Sequence, residues 1–211
     1  MQIIAINEIF KSIQGEGFHT GTPCIFVRFQ GCENNCPFCD TPHAQDRKKA
    51  NYYIDEVEIE NRILHHIGSS NIRRVVITGG EPFLQDVGLR NLINNLLGEG
   101  FLVSIETSGT VELSEDIKDI FAMDVWLTLS PKHKEPYLQY KLRANEIKVL
   151  VGMNNVFMPT TPVSETAQLF FQPVWTDCAI QRTSVWKRAI QLCYEHGARL
   201  SPQMHKYLNI P

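Results

Sequence analysis

The stretch 25-IFVRFQGCENNCPFCDT-41 joins a continuous apolar run to a polar loop that carries Cys32, Cys36 and Cys39. A run this rich in β-branched and aromatic residues has the character of a strand covered on both faces. The loop behind it sets three thiols within eight residues, spaced Cys32-x3-Cys36-x2-Cys39. Three thiolates so placed can hold three irons of a cubane cluster and leave the fourth without a protein ligand. A closed electron-transfer centre takes four cysteines, so an open corner points to an iron that binds something else. A zinc site would use the same sulfurs with His43 as the fourth ligand, although structural zinc sites commonly set their ligands in two separated pairs. Reduced core thiols fit poorly in a loop of Asn, Pro and Asp residues. A disulfide needs an oxidising compartment, which nothing in the chain indicates.

Outward from this stretch, strand-like runs recur at residues 24–30, 75–78, 102–106, 125–129, 147–151 and 169–171, with a further extended segment at 3–10. Several are unbroken Val, Ile, Leu or Phe runs, as in parallel strands. Helical spacing is clearest over 55–67, 85–97 and 182–196. Asp55 is placed to cap the first helix. Leu89, Leu92, Ile93, Leu96 and Leu97 form the stripe of the second, which Gly98 or Gly100 ends. Val185, Trp186, Ala189, Ile190 and Cys193 form the stripe of the third, with Gly197 at its C-terminal cap. The connections 131–145 and 152–164 are too short or too proline-rich for full helices. Six parallel strands with three main helices predict an α/β fold, a partial, helix-depleted barrel of TIM-like type.

At 211 residues the chain is expected to be a single domain over 1–211, since single α/β barrels run to about 200–250 residues. Apolar residues at 43% and charged residues at 20% describe an ordinary globular protein. A net charge of −3 provides no basic field to collect nucleic acid. The opening MQIIAINEIF lacks a signal peptide's charged leader and apolar stretch, and there is no apolar run of about 18 residues. The expected location is cytoplasmic, without membrane or nucleic-acid partners. Cys24 and Cys193 read as buried free thiols on a strand and a helix face.

In a parallel α/β barrel the chemistry gathers where strands end. The run 75–78 leads into Gly79-Gly80-Glu81-Pro82. Two glycines let backbone polar groups approach a ligand closely, and Glu81 adds a carboxylate, a combination suited to an ammonium group. A plain strand-to-helix turn would use the same residues. Glu106-Thr107-Ser108-Gly109, Ser130-Pro131-Lys132 and Gln172-Pro173-Val174-Trp175 end three later runs, each open to a loop reading or a ligand reading. Arg28 stands inside an apolar run, where an unpaired charge is costly. Its guanidinium fork must meet an anion, either Glu8 or Glu16 within the chain or the carboxylate of an acidic substrate.

The cysteine triplet and Gly79-Gly80-Glu81-Pro82 together resemble the radical S-adenosylmethionine (SAM) enzymes. That resemblance implies a 4Fe-4S cluster on Cys32, Cys36 and Cys39, with SAM's amino and carboxylate groups on the open iron and a 5′-deoxyadenosyl radical formed on reduction. Phe38, Cys39, Asp40, Gly80, Glu81, Ser108, Ser130, Pro131, Lys132, Gln172, Pro173, Val174 and Trp175 would then surround SAM. Thr41 offers a hard oxygen of the kind magnesium prefers, or serves as a helix cap.

The match narrows on Glu8-Ile9-Phe10-Lys11-Ser12-Ile13-Gln14-Gly15-Glu16-Gly17, Phe26-Val27-Arg28-Phe29-Gln30-Gly31-Cys32, Cys39-Asp40-Thr41 and His205-Lys206-Tyr207-Leu208-Asn209-Ile210-Pro211. Over these segments the chain is similar to the 7-carboxy-7-deazaguanine synthase family. The similarity implies conversion of 6-carboxy-5,6,7,8-tetrahydropterin to 7-carboxy-7-deazaguanine with loss of ammonia, in the route to queuosine and other deazapurines. It implies magnesium on Thr41, and Ile13, Gln14, Gly15, Glu16, Arg28, Thr78, His205 and Pro211 around the pterin. Arg28 would meet the substrate carboxylate, the Pro211 carboxylate would meet the pyrimidine ring, and the chain's end would order on ligand binding. Glu16 and His205 are the candidates for moving a proton. A reductase such as flavodoxin or ferredoxin and a homodimeric assembly belong to the same expectation. After Thr41 the chain departs from the family in offering no aromatic at His43-Ala44-Gln45, and Arg47-Lys48-Lys49 reads as a solvated loop. Two other functions share parts of the pattern: an activase that installs a glycyl radical on a partner protein, and a zinc-binding module.

Overall fold

β1 (Ile4–Ile13) and β2 (Pro23–Phe29) form an antiparallel pair whose register sets Glu8 opposite Arg28 and Phe10 opposite Phe26. Ile25, Val27 and Phe29 are wholly buried on one face of β2. On the other face the Phe26 ring stacks 5.0 Å from that of Phe10. The computed structural model of the chain describes residues 2–113 and 115–211, with side chains for all of them except 115–117. It divides into two compact units: Met1–Ile13, Thr22–Thr107 and Val111–Trp126 form the first, and Gln14–Gly21, Ser108–Thr110 and Leu127–Pro211 the second.

In the first unit a short edge strand, β3 (Tyr52–Ile54), pairs antiparallel with β1. β4 (Arg74–Gly79) runs parallel to β2, and β5 (Leu102–Thr107) runs parallel to β4. Val75, Val76 and Ile77 are all fully buried, which marks β4 as a strand covered on both faces. α1 (Glu56–Ile67) connects β3 to β4, and α2 (Asp86–Gly98) lies between β4 and β5. The Asp55 carboxylate accepts the Glu58 N–H at 2.9 Å and caps α1 as expected. α2 buries Leu89, Leu92, Ile93 and Leu96.

In the second unit β6 (Val125–Leu129, its last three residues), β7 (Glu146–Val151), β8 (Gln168–Pro173) and β9 (Arg199–Leu200) run parallel in that order. The fold class is thus α/β with a mostly parallel sheet, as the unbroken apolar runs require. α3 (Leu138–Arg143) occupies six residues of the connection 131–145, and no helix lies in 152–164. α4 (Ala179–His196) starts three residues earlier than the periodicity predicts and ends at Gly197 in the left-handed conformation. Its buried stripe is narrower than expected. Val185 and Ala189 are buried, but Trp186, Ile190 and Cys193 are only half-buried. Trp186 sits edge-on to Tyr207 of α5 (Met204–Leu208), ring centroids 6.1 Å apart. Cys24 is fully buried, as expected for a core thiol. No helix of the described residues is long and apolar enough to cross a membrane.

Removing the Asp55 cap leaves a first-turn donor of α1 without its side-chain acceptor. Asp55→Ala is expected to lower the unfolding free energy by about 1 kcal/mol, read as a lower urea midpoint with an unchanged slope.

Candidate active site

The cysteine loop leaves the end of β2 and is fastened at its stem by backbone. The Gly31 N–H donates to the Ala44 carbonyl at 2.8 Å and the Cys32 N–H to the Gln45 carbonyl at 2.9 Å. Gln30 is buried and its amide Nε2 donates to the His43 and Asp46 carbonyls, both at 2.8 Å, while its Oε1 accepts from Asn7 at 2.7 Å. The Gln85 amide in turn reaches the Gln30 carbonyl at 3.1 Å. Neither glutamine was singled out from sequence, although a polar residue at the end of an apolar run is a usable signal.

The turn after β4 meets this stem directly. The Gly80 N–H donates to the Phe29 carbonyl at 3.0 Å and the Glu81 N–H to the Gly31 carbonyl at 2.8 Å. A Cβ on Gly80 would strike the Gly31 carbonyl and come within 2.7 Å of the Ala44 carbonyl, and one on Gly79, at φ +132°, would strike the Phe29 backbone. The two glycines therefore serve backbone-to-backbone contact first. Glu81 is only 2% exposed and accepts from the Thr107 hydroxyl at 2.7 Å. Cys32, Cys36 and Cys39 are half-exposed thiols beyond this stem. Burial pushes the Cys32 thiol up, hydrogen bonds from Asn34 oppose that, and the charges of Glu81 and Cys39 add to it. Such a thiol keeps its proton until a bound metal favours the thiolate and displaces the proton.

These residues fit an iron–sulfur cluster: three accessible thiols on one loop with a rigid stem. Among the described residues no three His, Cys, Asp or Glu side chains converge on one point as a single metal ion requires. His43, the fourth zinc ligand considered from sequence, lies 4.0 Å from the Glu8 carboxylate. Thr41 precedes the short turn Pro42–Ala44 without making a side-chain cap, and its hydroxyl lies 3.8 Å from Cys39 Sγ. Phe38 is half-exposed and Asp40 exposed beside it.

A polar row crosses the carboxyl ends of the strands in the first unit. Glu8 stands opposite Arg28, and Arg28 beside Thr78. The Thr78 hydroxyl donates to Glu106 at 3.2 Å. The Arg28 Nε donates to Glu8 at 2.7 Å, and the guanidinium lies 5.5 Å from the Phe10 centroid. Of the two internal partners considered for Arg28, Glu8 is the one observed. Among the described residues nothing else bonds its terminal nitrogens, so one edge of the fork remains for a ligand carboxylate.

In the second unit the turn Gln14–Gly21 is anchored at nearly every residue. The Gly17 N–H donates to Ser201 Oγ at 2.9 Å, and that hydroxyl donates to Gln172 Oε1 at 3.0 Å. The Phe18 N–H donates to Glu146 at 2.8 Å, and the Glu16 N–H to the Gln14 side chain at 3.1 Å. Gly15 lies flush against His205, where any Cβ would overlap the imidazole, and its carbonyl accepts the Met204 N–H at 3.0 Å. Glu16 forms an ion pair with Lys148 and accepts from Gln203 Nε2 at 3.0 Å. Burial alone would raise the Glu16 carboxyl, but Lys148, Gln203 and His205 together bring it down to about 2. Glu16 therefore rests as a carboxylate, a form that can accept a proton but has none to give. Lys148, Gln203 and Ser201 went unnoticed in sequence, yet Lys148 interrupts an apolar strand just as Arg28 does.

The remaining predicted residues are placed as follows. Ile13 ends β1 in the first unit and is exposed. Ser130 accepts from Lys132 Nζ at 2.9 Å next to the buried Pro131, and Ser108 bonds the Thr110 hydroxyl at 2.9 Å. Gln172 supports Ser201, Pro173 closes β8, and the Val174 N–H donates to the Val151 carbonyl at 2.9 Å. Trp175 packs edge-on to Tyr207 at 5.1 Å beneath the Arg182 guanidinium at 5.0 Å. The tail turns back on α5 through the Ile210 N–H, which donates to the His205 carbonyl at 3.2 Å, and Pro211 is exposed beyond it.

A three-cysteine loop locked to a Gly-Gly-Glu turn defines the radical SAM class, and the family model described as Radical SAM superfamily matches residues 26–152. The chain is 36% identical to a 7-carboxy-7-deazaguanine synthase from Buchnera aphidicola, covering 97% of this chain and 98% of that one. It is also 36% identical to the enzyme of that name from Escherichia coli, with the same coverage. The crystal structure of QueE from Escherichia coli superposes with a TM-score of 0.71 at 30% identity, over 96% of this chain and 95% of that one. The chain belongs to the 7-carboxy-7-deazaguanine synthase family.

Gly80→Ala forces a methyl group into the loop stem. The variant is expected to lose about 1–3 kcal/mol of stability and to take up less iron and sulfide per chain on anaerobic reconstitution. Cys24→Ser, away from the loop, should load normally.

Proposed function

We propose that the protein converts 6-carboxy-5,6,7,8-tetrahydropterin to 7-carboxy-7-deazaguanine with release of ammonia, as a radical SAM lyase of queuosine and deazapurine biosynthesis. The observation that carries this reading is the near end-to-end match to relatives named for that product. The proposal takes residues 1–211 as one radical SAM domain, in a cytoplasmic homodimer reduced by a donor such as flavodoxin or ferredoxin.

Cys32, Cys36 and Cys39 would hold the cluster, which when bound supplies the electron that cleaves SAM to a 5′-deoxyadenosyl radical for hydrogen abstraction from the substrate. Glu81 and the backbone at Gly80 would receive SAM's ammonium group, and Phe38 its adenine. Ser130, Pro131 and Lys132 at the end of β6 would grip its ribose and adenine, and Ser108 would lie beside its ribose and carboxylate. Thr41 offers its hydroxyl, which caps nothing, to a magnesium ion that would share the substrate carboxylate. Arg28 meets that carboxylate with the fork edge that Glu8 leaves available, with Thr78 beside it. Gln14, Gly15, Glu16, His205 and the Pro211 carboxylate would hold the pterin. Positioning dominates this chemistry, because a primary radical must find only one hydrogen within reach. His205 is the side chain proposed to move a proton.

Reconstituted protein given SAM, a low-potential reductant and 6-carboxytetrahydropterin under anaerobic conditions should form a deazapurine, ammonia and 5′-deoxyadenosine. Absence of any new deazapurine would reject the assignment. Arg28→Ala should weaken substrate binding about 30-fold or more, as for a truncated buried charge pair, while SAM cleavage without substrate survives. Loss of cluster assembly in that variant would make Arg28 structural instead.

A further inference from the structure

Two charges stand inside β7, where Glu146 and Lys148 alternate with the buried Ile147 and Val149. Lys148 is 4% exposed. Withdrawing an ammonium from water costs several kcal/mol, so its retention calls for a specific partner. That partner is Glu16, whose second carboxylate oxygen accepts from Gln203. A carboxylate has about four acceptor positions, so these two bonds leave others, and the Glu16 side chain keeps 12% of its surface accessible.

We propose that Lys148 is a positioning residue for substrate recognition, holding Glu16 as a fixed, permanently anionic acceptor for N–H donors of the pterin. The inference rests on Glu16 being a substrate contact, as in the function proposed above. A reduced pterin offers several ring and amino N–H donors, and an acceptor that protonated near neutral pH would lose much of its hold on them. The titratable groups facing Glu16 are Lys148 from β7 and His205 from α5. Glu146, on the same face of β7, is turned to the Phe18 N–H and the Thr128 hydroxyl. With Lys148 present, the depressed Glu16 carboxyl stays ionised at every pH at which the protein is handled. Without the ammonium, burial is opposed only by Gln203 and His205, and the carboxyl moves up toward the working range.

The test is the pH dependence of 6-carboxytetrahydropterin binding to SAM-bound holoenzyme, for wild type, Lys148→Met, Lys148→Arg and the double variant Glu16→Gln/Lys148→Met. Lys148→Met should bind near wild-type strength at high pH and lose affinity as pH falls, by up to about tenfold per unit for one proton. Lys148→Arg should keep the wild-type profile, and the added slope should vanish in the double variant. His205 is common to all four proteins, so the difference isolates Glu16. If Lys148→Met does not fold, Lys148→Gln removes the charge while retaining a donor and carries the same expectation. An affinity loss equal at all pH values, or lower stability alone, would show that Lys148 merely braces the turn. Wild-type holoenzyme that binds no pterin at any pH would overturn the proposed function itself, whereas wild-type binding beside a flat Lys148→Met profile overturns only this inference.

Discussion

The close backbone approach between Gly79–Glu81 and the stem of the cysteine loop is the constraint on which the rest of the first unit's chemistry depends. Two main-chain hydrogen bonds cross it, and no side chain fits between the strands' ends at Gly80. Because the contact is made by backbone, it fixes where Cys32 begins without depending on side-chain rotamers. The buried amides of Gln30 and Gln85 brace the same stem from the β1 side. The thiols beyond it can then stay accessible while their point of attachment stays rigid. The same contact brings Glu81 close enough for its charge to add to burial in raising the Cys32 thiol.

Buried charge is handled in two ways here, and the difference tracks the proposed roles. Arg28 is held by one carboxylate through Nε and by an aromatic face, so it is oriented but not saturated. Glu16 is held through both carboxylate oxygens, so its ionisation is fixed as well as its place. The first arrangement suits a clamp that must still receive a carboxylate. The second suits an acceptor whose charge must not vary, since a buried carboxyl left to itself would drift toward neutrality.

Much of this was legible in the sequence because the signals were local. Largely apolar runs announced β2 and β4 to β8, and Asp55 and Gly197 marked helix ends through chemistry confined to one turn. The cysteine spacing and Gly79-Gly80-Glu81 pointed to the same site from two places in the chain. Arg28 showed that an anion was required, but the choice between Glu8 and Glu16 depends on strand register across an antiparallel pair, which spacing does not encode. The anchoring of Gln14–Gly21 by Glu146, Lys148, Ser201 and Gln203 was hidden because these partners lie more than a hundred residues away. Trp175 read as a ligand contact, and its neighbours Tyr207 and Arg182 could not be read from spacing. Cys193 read as core although α4 presents it only half-buried. β3 and β9 are too short for periodicity to announce them.

The proposed chemistry turns on an iron left open by a three-cysteine loop. Electron paramagnetic resonance of the reconstituted, reduced protein with and without SAM tests it most directly. The expected result is a 4Fe-4S signal whose g values shift when SAM is added, as its amino and carboxylate groups occupy the fourth iron. A signal indifferent to SAM, or one zinc ion per chain in place of iron, would contradict it.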